Sequence, residues 1–396
     1  MPASESIYCI LPPHILKKIA ENGSAEQQTK ARQTNIATEQ LRGRRVGIAG
    51  MDFMASLSLG IRAGKSRSVY DTKNSSSLPG TLVRSEGQPP SDDPSVNEAY
   101  DGSGYTYDLF KDIYNRNSID GQGLKLVATV HYQKGYDNAF WDGRQMVYGD
   151  GDQDLPADQR LFNRFTNSID IIGHELTHGV TQLEVNLAYW DQSGALNESI
   201  SDVFGVLVKQ YHLRQTADQA AWLIGEGLFT PNVHGIALRS LKAPGMAYDD
   251  PVIGRDPQPA TMQDFVSTTQ DNGGVHLNSG IPNHAFYLAA LEMGGYAWEK
   301  AGLIWYKTLT EKLVERSNFQ DAADLTCQAA GEIYGRASLE QQAVRNGWKA
   351  VGILAADLPL PESPQPNPLP SGGSGCLAAL LSPAGLGKAL GKRGRG

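Results

Sequence analysis

The chain has 396 residues, of which 40% are hydrophobic and 20% are charged. This composition is typical of a folded globular protein and excludes a collagen-like or low-complexity chain. The formal net charge is −8, which argues against a general nucleic-acid-binding protein. No apolar run approaches the roughly 20 residues that a membrane-spanning helix needs, so we expect no membrane span.

The three cysteines, Cys9, Cys327 and Cys376, lie far apart in the chain. An odd, sparse set of this kind predicts no disulfide framework. The N-terminal stretch has no basic start, and Pro12-Pro13 interrupts its short apolar run. We therefore predict no secretory signal peptide.

Residues 1 to about 50 form a leader segment in which two short helices are predicted. Ile15, Leu16 and Ile19 share one helical face, and Gly23 ends the first helix. Residues 1–66 carry a net charge of +4, whereas residues 67–354 carry −14. We expect the leader to dock on the acidic body, with the alternative that both are simply solvated surfaces.

The body changes character along its length. Tyr, Val, Gly, Asn and Asp dominate from Ser66 to about Asp154, where 124–132 and 145–152 are predicted strands. Apolar periodicity then predicts helices over 167–184, 197–212, 285–295 and 319–349. A β-rich part followed by a helical part indicates the α+β class.

Residues 355–396 contain a Pro-rich stretch, a Gly/Ser stretch and a basic end. We expect this tail to be a linker followed by a disordered end, the alternative being a surface-binding tail.

The segment His174-Glu175-Leu176-Thr177-His178 carries the strongest chemical signal. On a helix, the two histidines lie one turn apart on one face, where neutral imidazoles can share a zinc ion. Glu175 then lies close enough to reach a zinc-bound water without binding the metal. The alternative is a pair of surface histidines beside a solvated Glu.

A zinc site needs a third ligand. The extended metzincin pattern fails, because Thr181 and Glu184 occupy the places of its Gly and third His. Glu198 and Asp202 lie one helical turn apart, so Glu198 is a candidate ligand and Asp202 a candidate acceptor for a ligating His. Without a neighbouring zinc helix, the two would be interpreted as a solvated helix face.

Asp271 and His276 flank a Gly pair that predicts a tight loop. An Asp can orient a His and keep it protonated, which suits an oxyanion partner, although a lone loop His is more often structural.

Four segments in this chain together resemble the thermolysin family of zinc metallopeptidases, over about Ser66 to Ile353: NAFWDGRQMVYGDGD (138–152), HELTH (174–178), GALNESISD (194–202) and DNGGVHLNSG (271–280). The leader, with PPHIL at 12–16, resembles the protealysin-like branch, which has a short propeptide. The resemblance implies a two-lobed α+β fold with the zinc helix between the lobes. It divides the chain into a propeptide (1–50), a β-rich lobe ending in the HELTH helix (51–185), a helical lobe (186–354) and the tail (355–396).

The resemblance also implies a role for each matching residue. The zinc ligands would be His174, His178 and Glu198, with Glu175 as general base and Asp202 behind the first His. The oxyanion donors would be Tyr189 and His276, the latter supported by Asp271. The substrate backbone would bind Asn138, Ala139, Trp141 and Arg239. The residue after the cut would enter an apolar pocket lined by Phe162, Phe165, Ile171, Ile224 and Leu238.

These roles imply a zinc-dependent neutral endopeptidase that cuts before bulky hydrophobic residues and is made as a self-processing zymogen. Its partners would be peptides and its own propeptide, held through Ile10 to Pro13, and we expect a monomer. Self-cleavage is expected between Arg45 and Ser66, and an alternative inhibitory contact is a Cys9 thiolate on the zinc. We expect secretion without a recognisable signal peptide, the alternative being a cytoplasmic enzyme.

Other readings stay open at this point. A non-catalytic binding protein on the same fold would be favoured by loss of Glu175, Tyr189 or His276, but all three are present. A zinc aminopeptidase would need an acidic motif for the substrate amine, which we do not find. A protein in which only the tail acts would keep its function without the peptidase site.

The resemblance bears on calcium as well. Secreted members carry a double calcium site built from acidic residues. Two of these acidic positions are matched here by Asp170 and Glu226. Three others are occupied by residues without a carboxylate: Lys209, Ala221 and Leu223. We therefore expect no double calcium site, with Lys209 pairing with Asp170 or Glu226 instead. A single weak site that uses Asp150, Asp152 or other loop carboxylates stays open.

Overall fold

The computed structural model describes residues 8–48 and 64–355. Within these two ranges, no helix combines the length and apolarity needed to cross a membrane. Most of the predicted self-cleavage region and nearly all of the tail lie outside the described residues.

The N-terminal lobe contains a six-stranded mixed sheet. Its strands are β1 (Tyr8–Cys9), β2 (Arg67–Asp71), β3 (Thr81–Ser85), β4 (Leu126–Val130), β5 (Ala139–Trp141) and β6 (Met146–Tyr148). Their order is β1-β5-β6-β4-β2-β3, in which β2, β4 and β6 run parallel. The leader supplies the edge strand β1, which pairs antiparallel with β5 and sets Tyr8 opposite Trp141.

The helices dominate the rest of the chain. They are α1 (Pro13–Asn22), α2 (Ala25–Ile48), α3 (Pro94–Tyr114), α4 (Ile169–Glu184), α5 (Asp191–Leu213), α6 (Asp271–Asn278), α7 (Gly280–Met293), α8 (Ala301–Glu311), α9 (Phe319–Tyr334) and α10 (Leu339–Ala350). Short paired strands β7 (Leu223–Ile224) with β8 (Arg239–Ser240), and β9 (Asp249–Asp250) with β10 (Gly254–Arg255), lie between α5 and α6. The predicted α+β class and two-lobed architecture are confirmed.

Helix α3 was not predicted, because residues typical of strands and turns dominate its region. It begins at Pro94, where Asp93 caps the helix by accepting a hydrogen bond from the Ser95 amide. Its small residues hide the helical pattern but permit close packing. A Cβ atom on Gly102 would lie only 2.4 Å from Ile172 Cδ1 of α4.

The leader also differs from expectation. Helix α2 has 24 residues and is not short. Its buried face is mixed: Gln27, Lys30, Thr34 and Thr38 are buried together with Ala31, Ala37 and Leu41. The polar members interrupt the apolar periodicity that would reveal a long helix in the sequence.

Helices α4 and α5 cross closely enough to bring their functional side chains together. The crossing depends on Gly205 of α5, where a Cβ atom would lie 2.6 Å from the Asp170 carbonyl oxygen of α4. A larger residue at this position would push the two helices apart.

Candidate active site and metal centre

The three predicted metal ligands meet at one point between α4 and α5. The Nε2 atoms of His174 and His178 lie 3.0 Å apart, and each lies 3.5 Å from an oxygen of Glu198. Ligands of a tetrahedral zinc ion are separated by about 3.4 Å, as follows from bond lengths of about 2.0–2.1 Å. All three side chains are fully buried. Their spacing therefore fits a zinc ion.

Hydrogen bonds at the Nδ1 atoms orient the two imidazoles so that their Nε2 atoms face the site. His174 Nδ1 donates to Asp202 Oδ1 at 2.8 Å, and His178 Nδ1 donates to Asn197 Oδ1 at 2.8 Å. Burial and the neighbouring His174 also lower the pKa of His178 well below its usual value. Glu198 Oε2 is buried and accepts no hydrogen bond from the described residues. With each Nδ1 donating to its partner, the two Nε2 atoms and Glu198 Oε2 are left free to bind a cation.

Glu175 lies beside this cluster without belonging to it. Its Oε2 accepts a hydrogen bond of 3.0 Å from the Trp141 amide. Burial, and then the negative charge of Glu198, raise its pKa well above the usual value. A carboxylate held in this way is suited to take up a proton.

The predicted oxyanion donors, Tyr189 and His276, both lie next to Glu198. His276 Nδ1 donates to Asp271 Oδ1 at 2.6 Å, and the His276 amide donates to Asp271 Oδ2 at 2.9 Å. Burial alone would lower the pKa of His276, but the charges of Asp271 and Glu198 raise it to about 9. Its Nε2 lies 3.4 Å from the hydroxyl of Tyr189, which itself donates to Glu198. The two predicted donors therefore lie next to each other.

The loop before His276 has the tight geometry that its sequence predicts. Asn272, Gly273 and Gly274 all have positive φ. A Cβ atom on Gly273 would also lie 2.9 Å from the Asp191 amide nitrogen at the start of α5. This turn sets Asp271 behind the imidazole.

Asp202 connects the metal cluster to Arg239. The guanidinium donates to both Asp202 oxygens, at 2.8 and 2.9 Å, and both residues are buried. Burial would raise the pKa of Asp202, but the charge of Arg239 and the hydrogen bond from His174 hold it well below its usual value. Asn283 of α7 donates to the same carboxylate at 2.8 Å. An ionised Asp202 thus orients His174 and Arg239 together.

Three residues of this network were not predicted: Asn197, Ser201 and Asn283. Asn197 and Ser201 lie one turn apart on α5, and both contact His178 Nδ1, at 2.8 and 3.0 Å. Their i, i+4 spacing beside Glu198 was a signal that the sequence contained. Asn283 lies on a distant helix, and no local pattern connects it to the site.

The leader lies in the cleft between these groups. The Ile10 amide donates to Ala139 O at 3.1 Å, and the Leu11 amide donates to Asn138 Oδ1 at 3.0 Å. Arg239 Nη1 donates to the Ile10 carbonyl at 3.1 Å. The residues predicted to hold a substrate backbone therefore hold the backbone of the leader.

The preceding residues, Tyr8 and Cys9, face opposite sides of β1. The Tyr8 ring stacks on His178 at a centroid distance of 4.4 Å. The Cys9 carbonyl lies 3.0 Å from His276 Nε2, while its side chain packs in a separate apolar cluster with Tyr136 and Phe140. The Cys9 thiol faces away from the metal cluster, so the alternative of a thiolate on the zinc is wrong. Strand alternation is the physical reason.

The five predicted pocket residues all lie in the apolar core beside the cleft. Each is at most 1% exposed: Phe162, Phe165, Ile171, Ile224 and Leu238. Ile10 is also fully buried in this main core.

Lys209 occupies the place where the resemblance implied calcium in other members. Its Nζ lies 3.0 Å from Asp170 Oδ2 and 2.7 Å from Glu226 Oε2. The pairing predicted from the sequence is present with both carboxylates. The expected absence of a double calcium site stays a prediction.

Comparison with known proteins agrees with this geometry. The model of the thermolysin metallopeptidase catalytic domain matches residues 56–182, and that of the thermolysin metallopeptidase alpha-helical domain matches residues 185–353. An extracellular metalloprotease of Pectobacterium carotovorum subsp. carotovorum is 48% identical over 88% of this chain and 97% of its own length. The chain belongs to the thermolysin family. It is a zinc metalloendopeptidase of the protealysin-like branch.

Two further relatives support the same assignment. Protease PrtS of Photorhabdus sp. (strain Az29) is 47% identical over 87% of this chain and 91% of its own length. The solved structure of the precursor of protealysin, a metalloproteinase from Serratia proteamaculans, is 50% identical and has a TM-score of 0.78. It covers 88% of this chain and 100% of the other.

Proposed function

We propose that this metalloendopeptidase is made as a self-processing zymogen and cuts on the N-terminal side of bulky hydrophobic residues. The observation that carries the proposal is the position of the Cys9–Ile10 peptide bond. Its carbonyl faces His276, while the Ile10 amide pairs with Ala139 and lies near enough to Glu175 to lower the pKa of that carboxyl. The leader thus lies in the cleft as a substrate would.

The chemistry follows from the groups around this bond. Zinc, when held by His174, His178 and Glu198, supplies Lewis-acid polarisation. Glu175 takes a proton from the attacking water and delivers it to the leaving nitrogen, which its closeness to the Ile10 amide supports. His276, kept protonated by Asp271, donates to the oxygen that gains negative charge.

The same geometry supports the proposed specificity. Ile10 takes the place of the residue after the cut, since its carbonyl binds Arg239. Its side chain is fully buried in the main apolar core, which also contains Phe162, Leu238 and the other predicted pocket residues. A pocket of this kind excludes charged side chains, because their desolvation would be uncompensated.

A pair of matched peptides tests the specificity. The two peptides differ only in carrying Leu or Asp after a single cleavable bond. We expect kcat/KM to be at least about 100-fold higher for Leu, since burying an unpaired carboxylate costs several kcal/mol. Equal rates would contradict the proposed pocket.

The zymogen proposal rests on occupancy of the cleft by the leader. While β1 pairs with β5, no substrate strand can pair there. Activation then requires a cut between the leader and the body, which we place between Arg45 and Ser66. Residues 51, 53, 54, 57 and 59 in this stretch are apolar and bulky.

Intact-mass spectrometry of the purified full chain tests self-processing. We expect the wild type to shorten by a cut between Arg45 and Ser66 while its activity on casein rises. Glu175→Gln should keep its full mass, and the addition of a trace of active enzyme to this variant shows whether the cut is made by another molecule. A fully active enzyme that retains its whole N-terminal leader would contradict the zymogen proposal.

We also propose that the enzyme acts outside the cell. The names of two relatives describe extracellular metalloproteases, one of them the Pectobacterium protein. Assaying casein hydrolysis in culture medium and in cell lysate tests this proposal. Activity confined to the lysate would favour the cytoplasmic alternative.

A further inference from the structure

Lys30 of the leader lies inside a cage of oxygens from the body. Its Nζ lies 2.7 Å from Gly151 O, 2.8 Å from Asp152 Oδ1, 2.8 Å from Asp154 Oδ1 and 3.1 Å from Asp137 Oδ1. The Lys30 side chain is only 6% exposed. Three carboxylates and a backbone carbonyl therefore surround one ammonium group.

The body holds part of this cage in place without the leader. Asp152 Oδ2 accepts hydrogen bonds from the Leu161 and Phe162 amides, at 2.8 and 2.9 Å. These bonds fix the carboxylate and leave Oδ1 directed into the cage. Gly151 precedes it directly, so both oxygens belong to one anchored turn.

The cage carries more negative charge than a single ammonium balances. Asp137 is buried, and its Oδ1 lies 3.1 Å from Lys30 Nζ, so release of Lys30 removes the cation that faces it. Burial, and then the charge of Asp152, raise the pKa of Asp137 well above its usual value. A buried carboxylate within an excess of carboxylates favours a ligand of higher positive charge.

We propose that Asp137, Asp152, Asp154 and the Gly151 carbonyl form a calcium site, which Lys30 fills in the precursor. Calcium prefers carboxylate and carbonyl oxygens at about 2.3–2.6 Å and completes its shell with water. A surface cleft of about 410 Å³, lined in part by Lys30 and Asp154, gives water access to the site. Lys134 also lines this cleft, but three carboxylates still leave a negative balance.

This site differs from the position of Lys209. Lys209 belongs to the body and stays with its carboxylates, whereas Lys30 leaves with the leader. Calcium and the docked leader therefore exclude each other, and calcium stabilises the released body. This consequence rests on the proposed release of the leader, whereas the site itself can be tested in an uncut chain.

The experiment uses the full chain with Glu175→Gln, which cannot cut itself, with zinc present throughout. Lys30→Met is added to it, because methionine keeps the aliphatic stem and removes the charge. Calcium chloride is titrated while the melting temperature is followed, and binding is measured directly by isothermal titration calorimetry. Lys30→Met with Asp154→Ala is the matched control, since Asp154 is the most exposed carboxylate of the cage.

We expect calcium to raise the melting temperature of the Lys30→Met chain by about 5 °C when calcium reaches 100 times its Kd. The parent chain, with Lys30 in place, should not respond, and the Asp154→Ala control should bind at least tenfold more weakly. Lys30→Gln, which keeps a hydrogen-bond donor, covers the case in which the methionine variant does not fold. Absence of calcium binding to the Lys30 variants, or equal binding to the parent, would overturn the proposal. Neither result depends on self-processing.

Discussion

Replacing Ile10 by Ala should loosen the leader from the cleft. Ile10 is fully buried, and its backbone is held on both sides by Ala139 and Arg239. Truncating a buried Ile to Ala costs about 2–5 kcal/mol. About 1.4 kcal/mol corresponds to a factor of ten. The fraction of molecules with an opened leader should therefore increase by a factor of between about 30 and a few thousand.

Limited trypsin digestion measures this opening. Lys18 of α1 is half exposed but helical, so cleavage after Lys17 or Lys18 requires local unfolding of the leader. The chain carries Glu175→Gln in both samples so that it does not cut itself. We expect Ile10→Ala to speed cleavage at this pair by at least about 30-fold.

Ile36 provides the matched control, because it lies on α2 of the same leader and is 57% exposed. Ile36→Ala should leave the cleavage rate within about threefold of the parent, as exposed substitutions change stability little. Equal rates for Ile10→Ala and Ile36→Ala would refute the argument that occupation of the cleft holds the leader.

Two further predictions concern charged clusters of the body. Lys209→Met should lower the free energy of unfolding by about 3 kcal/mol, because Asp170 would stay buried without its cation. A calcium-selective chelator should leave the melting temperature of the uncut Glu175→Gln chain unchanged, since Lys30 stays in its cage there. A chelator-induced drop in this chain that calcium reverses would contradict the absence of a double calcium site. His131 lies between Asp150 and Asp93, whose hydrogen bonds and charges raise its pKa to about 9 despite partial burial. The stability from this raised pKa is fully present below pH 6.5 and is lost as the pH rises through 9, so urea melts should show a loss of about 1–2 kcal/mol that His131→Gln abolishes. An unchanged pH profile in that variant would show that other groups cause the loss.

The cluster of His174, His178 and Glu198 could be predicted because helix geometry makes each pair of positions share a face, and the family resemblance joins the two helices. His174 and His178 share a helical face, as do Glu198 and Asp202, and the structure brings the two faces together. Asn197 could have been found by the same reasoning. Asn283 could not, because its contact with Asp202 depends on how α7 packs in three dimensions.

The leader was harder to predict in detail. Its electrostatic docking was expected from net charge, but the role of Lys30 was not. Polar residues such as Lys30 and Thr34 interrupt the buried face of α2, so its apolar period is weak. Likewise, the direction of the Cys9 side chain depends on the register of β1 with β5. Because β1 has only two residues, no alternating sequence pattern specifies that register.

Zinc content, measured by atomic absorption in two matched variants, separates the role of metal ligand from that of general base. Glu175→Gln should retain about one zinc per chain and lose casein hydrolysis, because Glu175 contacts the reacting bond and does not bind the metal. Glu198→Gln should lose both, because two imidazoles without the carboxylate bind zinc weakly. If Glu175→Gln lost zinc as readily as Glu198→Gln, or kept full activity, the assignment of these two carboxylates would be wrong.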